Sequence, residues 1–191
     1  YNNQTLHLLN HPENRDQEIL RLYETAAEEG DDFAQCELGN MYSYGKIVEA
    51  DPEKSVYYYK LAADQGNSVA INSLGFHYST KEVNYEESFR WYKKGMKLKS
   101  KNSYPTLNTA YSFLLGHGVE KNVSESIRLY MNCDSAQSVL RLSEMYMQGV
   151  QGKQDMCKAV KLWKILAEKG YKITNYYLAW AYYYGVGVSK N

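Results

Sequence analysis

The sequence carries no surplus of charge: 22 Lys and Arg are matched by 22 Asp and Glu, and the pI is about 7.1. Nucleic acid and anionic membrane surfaces recruit proteins through net positive charge, so neither is an expected partner. Long hydrophobic runs are missing as well. Nothing approaches the roughly 20 apolar residues that cross a bilayer, so direct membrane insertion is not expected of this stretch. Cysteine is scarce, and Cys36, Cys133 and Cys157 fall at no regular interval. They form no disulfide framework and are expected inside, as small hydrophobes.

The residues of most chemistries are absent too. The four histidines, His7, His11, His77 and His117, share no metal-ligand spacing with Cys, Asp, Glu or one another, and there is no H-E-x-x-H; neither a metal nor a cofactor is expected. Ser43-Tyr44-Gly45-Lys46 spells S-x-x-K, but its companions S-D-N and K-T-G are missing. No catalytic residues are assigned, and the chain is read as a non-enzyme. The sequons at Asn3 and Asn122 are about as many as chance supplies and decide nothing about compartment. Endoplasmic-reticulum lumen, periplasm and cytoplasm all remain compatible.

What is present is a repeat. Leu38-Gly39-x-x-Tyr42 returns as Leu74-Gly75-x-x-Tyr78, Leu107-Asn108-x-x-Tyr111, Leu142-Ser143-x-x-Tyr146 and Leu178-Ala179-x-x-Tyr182, in steps of 36, 33, 35 and 36 residues. A period in that range builds a solenoid of stacked supersecondary units, each packed on its neighbours. Ala34, Leu38, Met41 and Tyr42 make one apolar stripe at helical spacing, helix A of the clearest unit. Gly39 lies on that stripe, where glycine is costly unless a second helix approaches closely. Gly45 is placed as a left-handed C-cap. Asp51 then reads as an N-cap and Pro52 as the first residue of helix B. Helix B continues through Tyr58, Tyr59, Ala62 and Ala63 to Gly66.

These residues together resemble the Sel1-like repeat family, from about Glu18 to Asn191. Gly116-His117-Gly118-Val119 and Gly185-Val186-Gly187-Val188 carry its G-x-G-V turn. That turn and the period favour it over the related tetratricopeptide repeat, and the glycines are read as helix-to-helix turns rather than phosphate loops. The resemblance implies an all-α fold, an α-solenoid of stacked helix-turn-helix repeats in a right-handed superhelix. Units are expected at about 18–31, 32–67, 68–101, 102–134, 135–170 and 171–191 of a single array spanning 1–191, after a degenerate or capping segment at 1–17. Within that segment His11-Pro12-Glu13-Asn14 reads as a turn. Tyr1 at the start and the unit cut short at Asn191 read as a piece of a longer protein, whose cut ends offer a route to self-association.

The resemblance also implies function: a non-catalytic scaffold or adaptor that binds a protein or peptide on a concave surface lined by the A helices. Family members act as adaptors in endoplasmic-reticulum degradation, as activators of cell-wall synthesis and as bacterial envelope or host-interaction proteins. The alternative is a regulatory or substrate-recruiting segment of a larger enzyme complex, such as a degradation ligase. By analogy with tetratricopeptide geometry, the inward positions supply Asn40, Tyr44, Asn72, Phe76, Thr109, Phe113, Glu144, Met147, Tyr176, Trp180, Tyr183 and Tyr184 as partner-binding candidates. Aromatics interleaved with Asn and Met suit a protein-binding face. The motif tyrosines Tyr42, Tyr78, Tyr111, Tyr146 and Tyr182 are assigned instead to holding the stack together. The cations Arg90, Lys93, Lys94, Lys97, Lys99 and Lys101 read as a solvated convex face.

Overall fold

The structure is a computed structural model that describes residues 12–98, 100–133, 135–150 and 154–188. Among these residues there are ten α-helices and no strand. They are α1 Pro12–Glu28, α2 Asp32–Tyr44, α3 Pro52–Asp64, α4 Ser68–Thr80, α5 Tyr85–Met96, α6 Tyr104–Leu115, α7 Val123–Asn132, α8 Ala136–Gln148, α9 Met156–Glu168 and α10 Ile173–Tyr184. The fold is the expected all-α solenoid of helix pairs. The sequon at Asn3, most of the expected capping segment and Lys99 lie outside the described residues. Pro12 does not sit in a turn: it opens α1. A proline's fixed φ and missing N–H cost nothing at a helix's first position, which explains the correction.

The second helix of each pair starts in one way. Asp51, Asn84, Asn122 and Asp155 accept through their side chains from the backbone N–H three residues on, at 2.9–3.1 Å. The backbone N–H of each cap donates back to the first helix, at Tyr42 O, Tyr78 O, Phe113 O and Tyr146 O, over 2.8–2.9 Å. Each loop is therefore pinned at both ends. Eight residues past each cap stands a buried aromatic: Tyr59, Tyr92, Tyr130 or Trp163, none more than 6 % exposed.

Those aromatics explain the glycine on the stripe. A Cβ added at Gly39 would lie 2.5 Å from Cδ1 of Tyr59, and Gly75 faces the Tyr92 ring in the same way. The helices touch where no side chain fits. Ser55 Oγ donates to Gly39 O at 2.9 Å and Ser88 Oγ to Gly75 O at 2.7 Å, closing the same contact.

The third repeat departs from the frame read in the sequence. It is Phe113, not Tyr111, whose carbonyl takes the N–H of the next cap. Phe113 also stands three residues before the left-handed cap Gly116, as Tyr42 stands before Gly45 and Tyr146 before Gly149. The register of α6 is thus displaced by two: Thr109 occupies the place of Leu38, Ala110 that of Gly39 and Tyr111 that of Asn40. Burial agrees, since Thr109 and Ala110 are fully buried while Tyr111 is 44 % exposed. The Leu107-to-Tyr111 match is a coincidence of residue types two positions out of phase. Tyr111 therefore does not hold the stack together. Nor does Tyr182, 56 % exposed with Lys164 Nζ 5.6 Å from its ring centroid; no described helix follows α10 to bury it. Tyr42 and Tyr78 are buried as expected, and Tyr146 is half-buried. Among the cysteines, Cys36 and Cys133 are buried, but Cys157 is exposed because it falls on the outer side of α9.

The chain divides into two compact units, Tyr1–Asn102 and Ser103–Asn191. In the first, α1 to α5 pack in sequence order around Leu38, Met41, Tyr59, Ala62, Ala63, Ile71 and Leu74. In the second, α6 to α10 also pack in order, with Trp163, Val160 and Ala181 at the centre of the α9–α10 contact.

Candidate partner-binding faces

In the first unit, the outward sides of α2 and α4 form a recess of about 360 Å³. Tyr44, Asn72 and Phe76 line it together with Ser43, Tyr59, Ser73, His77, Thr80 and Lys81. Helical spacing puts them there: positions 40, 43 and 44 share one side of α2, and 72, 76 and 80 one side of α4. Tyr44 is 66 % exposed and Phe76 55 %. Asn40 lies behind the recess, where its Oδ1 accepts from Tyr59 OH at 2.8 Å and its Nδ2 donates to Glu37. Burial pushes the Tyr59 phenol up to about 12, so it stays a neutral donor at any ordinary pH. The floor is thus hydroxyl and amide, the rim aromatic. His77 is buried, with Nε2 3.2 Å from Glu82 Oε1.

In the second unit, α6 and α8 enclose a recess of about 530 Å³. Glu144 lines it and accepts from Arg141 at 2.9 Å. Tyr104, Leu107, Tyr111, Gln137 and Leu140 line it as well. Three of these, Tyr104, Leu107 and Tyr111, are the inward positions of α6 once its register is moved by two, and residue-type matching missed them. The signal that finds them lies in the sequence: counting back from the cap Gly116 rather than forward from Leu107. Thr109, expected on this face, is fully buried and donates to Pro105 O at 2.7 Å. Phe113 is half-buried in the place of Tyr42. Both are corrected by the same displacement. Met147 is half-buried against the core around Trp163.

The last helix concentrates exposed rings. Tyr176, Tyr183 and Tyr184 are 69 %, 83 % and 62 % exposed, and Trp180 is 37 % exposed. Trp180 and Tyr184 have centroids 5.5 Å apart, and Tyr183 meets Tyr184 edge-on at 4.9 Å. Tyr177, on the other side of α10, stacks on buried Trp163 at 5.2 Å and anchors the helix. No group of His, Cys, Asp and Glu among the described residues could hold a metal, and no described helix is long and apolar enough to cross a membrane.

The Sel1 repeat profile matches residues 20–31, 32–67, 68–99, 107–130, 136–171 and 174–191. Among curated proteins, the chain is 24 % identical over 170 residues to the ERAD-associated E3 ubiquitin-protein ligase component HRD3B of Arabidopsis thaliana, covering 89 % of this chain and 24 % of that one. It is 30 % identical over 149 residues to the putative sel1-like repeat-containing protein L21 of Acanthamoeba polyphaga mimivirus, covering 73 % and 26 %. The chain thus spans about a quarter of the length of these two relatives. Among solved structures, c5321, a protective antigen of uropathogenic Escherichia coli strains with an SLR fold, superposes with a TM-score of 0.72 at 31 % identity, over 90 % of this chain and 38 % of that one. A Sel1 repeat protein from Oxalobacter formigenes superposes with a TM-score of 0.72 at 23 % identity, over 97 % and 72 %, and bears on the fold alone. With six repeats matched and buried aromatics recurring at every helix pair, the chain belongs to the Sel1 repeat family.

Proposed function

We propose that this chain is a non-catalytic protein-interaction scaffold that holds a protein or peptide partner on the exposed sides of its A helices. Sel1 repeats bind proteins, and the family is generally non-catalytic. The observation that carries the finer reading is the division of the aromatics. Tyr59, Tyr92, Tyr130 and Trp163 are spent inside the helix pairs, whereas Tyr44, Phe76, Tyr104, Tyr111 and the α10 rings stand exposed, the first four of them beside recesses. Rigid aromatics beside a pocket are what partner surfaces use as anchors.

Affinity capture from the source organism tests this. The wild-type chain and a Tyr57→Ala control, altered at an exposed helix-B ring, should retain the same partner. Tyr44→Ala, Phe76→Ala and Trp180→Ala should each weaken it about tenfold or more, with unchanged thermal unfolding. Retention of full affinity by all three would refute the assignment. A second reading, a recruiting segment within a larger ligase complex, draws support from the match to HRD3B across 89 % of this chain. Co-purification of a ubiquitin ligase with the full-length protein would favour it.

A further inference from the structure

The turns that lead from each helix B to the next helix A lie side by side along one edge of the first unit, and they are tied together. Gln65 Nε2 donates to Gly30 O at 2.9 Å and Asn67 Nδ2 to Asp32 Oδ2 at 2.7 Å, joining the first turn to the second. Asn102 Nδ2 donates to Ser68 O at 3.2 Å, and the Ser68 and Ser100 hydroxyls meet at 3.0 Å, joining the second to the third. The charge along this edge runs in one direction. The first turn, Glu28-Glu29-Gly30-Asp31-Asp32, holds four carboxylates, of which Glu28, Glu29 and Asp31 are exposed. The second holds only Asp64, already paired with Lys94 at 3.3 Å. The third presents Lys97 and Lys101, both exposed, and no acid. Among the described residues, Glu28, Glu29, Lys97 and Lys101 form no ion pair.

We infer that this edge docks onto the same edge of a second copy of the chain, in an antiparallel, two-fold arrangement. A long polyanion laid along the edge would meet the carboxylates of the first turn, and a short acidic peptide would satisfy only the third. A ligand matching the whole edge must carry the reverse ramp. The edge itself, turned about a two-fold axis through the neutral second turn, carries that ramp, so Glu28 and Glu29 of one copy face Lys97 and Lys101 of the other, twice. Two-fold pairing of one self-complementary patch is the commonest closed arrangement of identical chains. This edge is separate from the A-helix faces, so the inference stands independently of the proposed function.

Sedimentation velocity on the full chain tests it. Exposed ion pairs are weak and screened by salt, so dimerisation should weaken about tenfold or more between about 0.05 M and 0.5 M salt. The double variants Glu28→Lys/Glu29→Lys and Lys97→Glu/Lys101→Glu should each be monomeric, because like charges then face each other. An equimolar mixture of the two should dimerise again, since the reversed signs are complementary. The circular dichroism of both variants should match the wild type. A wild-type chain that stays monomeric at low salt, a dimer indifferent to salt or to these variants, or a mixture no better than its components would each overturn the proposal.

Discussion

Gly39 and Ile47 answer to different constraints of the same loop-and-helix unit. At Gly39 the constraint is space: Tyr59 lies against the backbone, its hydroxyl fixed on Asn40, and the ring is 2 % exposed. A side chain there must push the ring or the helix away. Gly39→Leu should destabilise the fold by roughly 1–3 kcal/mol or more, read by urea or thermal unfolding. At Ile47 the constraint is conformation. Its φ is 73°, and the equivalent positions two residues beyond the left-handed caps are Gly118 and Gly187, at 68° and 69°. A β-branched residue is strained in that region by roughly 1–2 kcal/mol, and at 42 % exposure Ile47 offsets this by only partial burial. Ile47→Gly should raise stability by up to about 1 kcal/mol, after the added freedom of the unfolded chain is subtracted. Unchanged stability in either variant would contradict its account.

At the scale of helix pairs, α6–α7 differs from the two pairs before it. Ser55 and Ser88 close their pairs by donating to a glycine carbonyl, but the equivalent Ser126 Oγ is buried with no partner among the described residues. In the α8–α9 pair the same place is taken by Ala159, fully buried. An unsatisfied buried hydroxyl costs about 1–3 kcal/mol, whereas a satisfied one contributes about 1 kcal/mol. Ser126→Ala should therefore leave stability unchanged or raise it, while Ser88→Ala lowers it by about 1 kcal/mol; equal losses in both would show that Ser126 is bonded after all. The same pair marks the limit of sequence reading. The Asp51 and Gly45 caps and the close helix approach at Gly39 were legible, because each depends on a residue type at a local spacing. The displaced register of α6 was not, because Leu107 and Tyr111 imitate the frame and only the bond from the Asn122 N–H to Phe113 O, or counting from Gly116, reveals the shift. That one displacement turns Thr109 and Phe113 inward and sets Tyr104, Leu107 and Tyr111 along the recess between α6 and α8.

For the molecule as a whole, composition set expectations about partners, and the repeat said how the chain is built. Which aromatics face solvent was legible where the frame holds, since Tyr42 is buried against Tyr58 and Tyr44, two residues on, is 66 % exposed; in α6 only packing showed that Tyr111 is exposed and Phe113 half-buried. The central claim is that the A helices carry the partner. Hydrogen–deuterium exchange of the captured complex against the free chain tests it most directly. The expected result is added protection in α2 and α4 and in α10, with α3, α5, α7 and α9 unchanged. Protection confined to the B helices would contradict it.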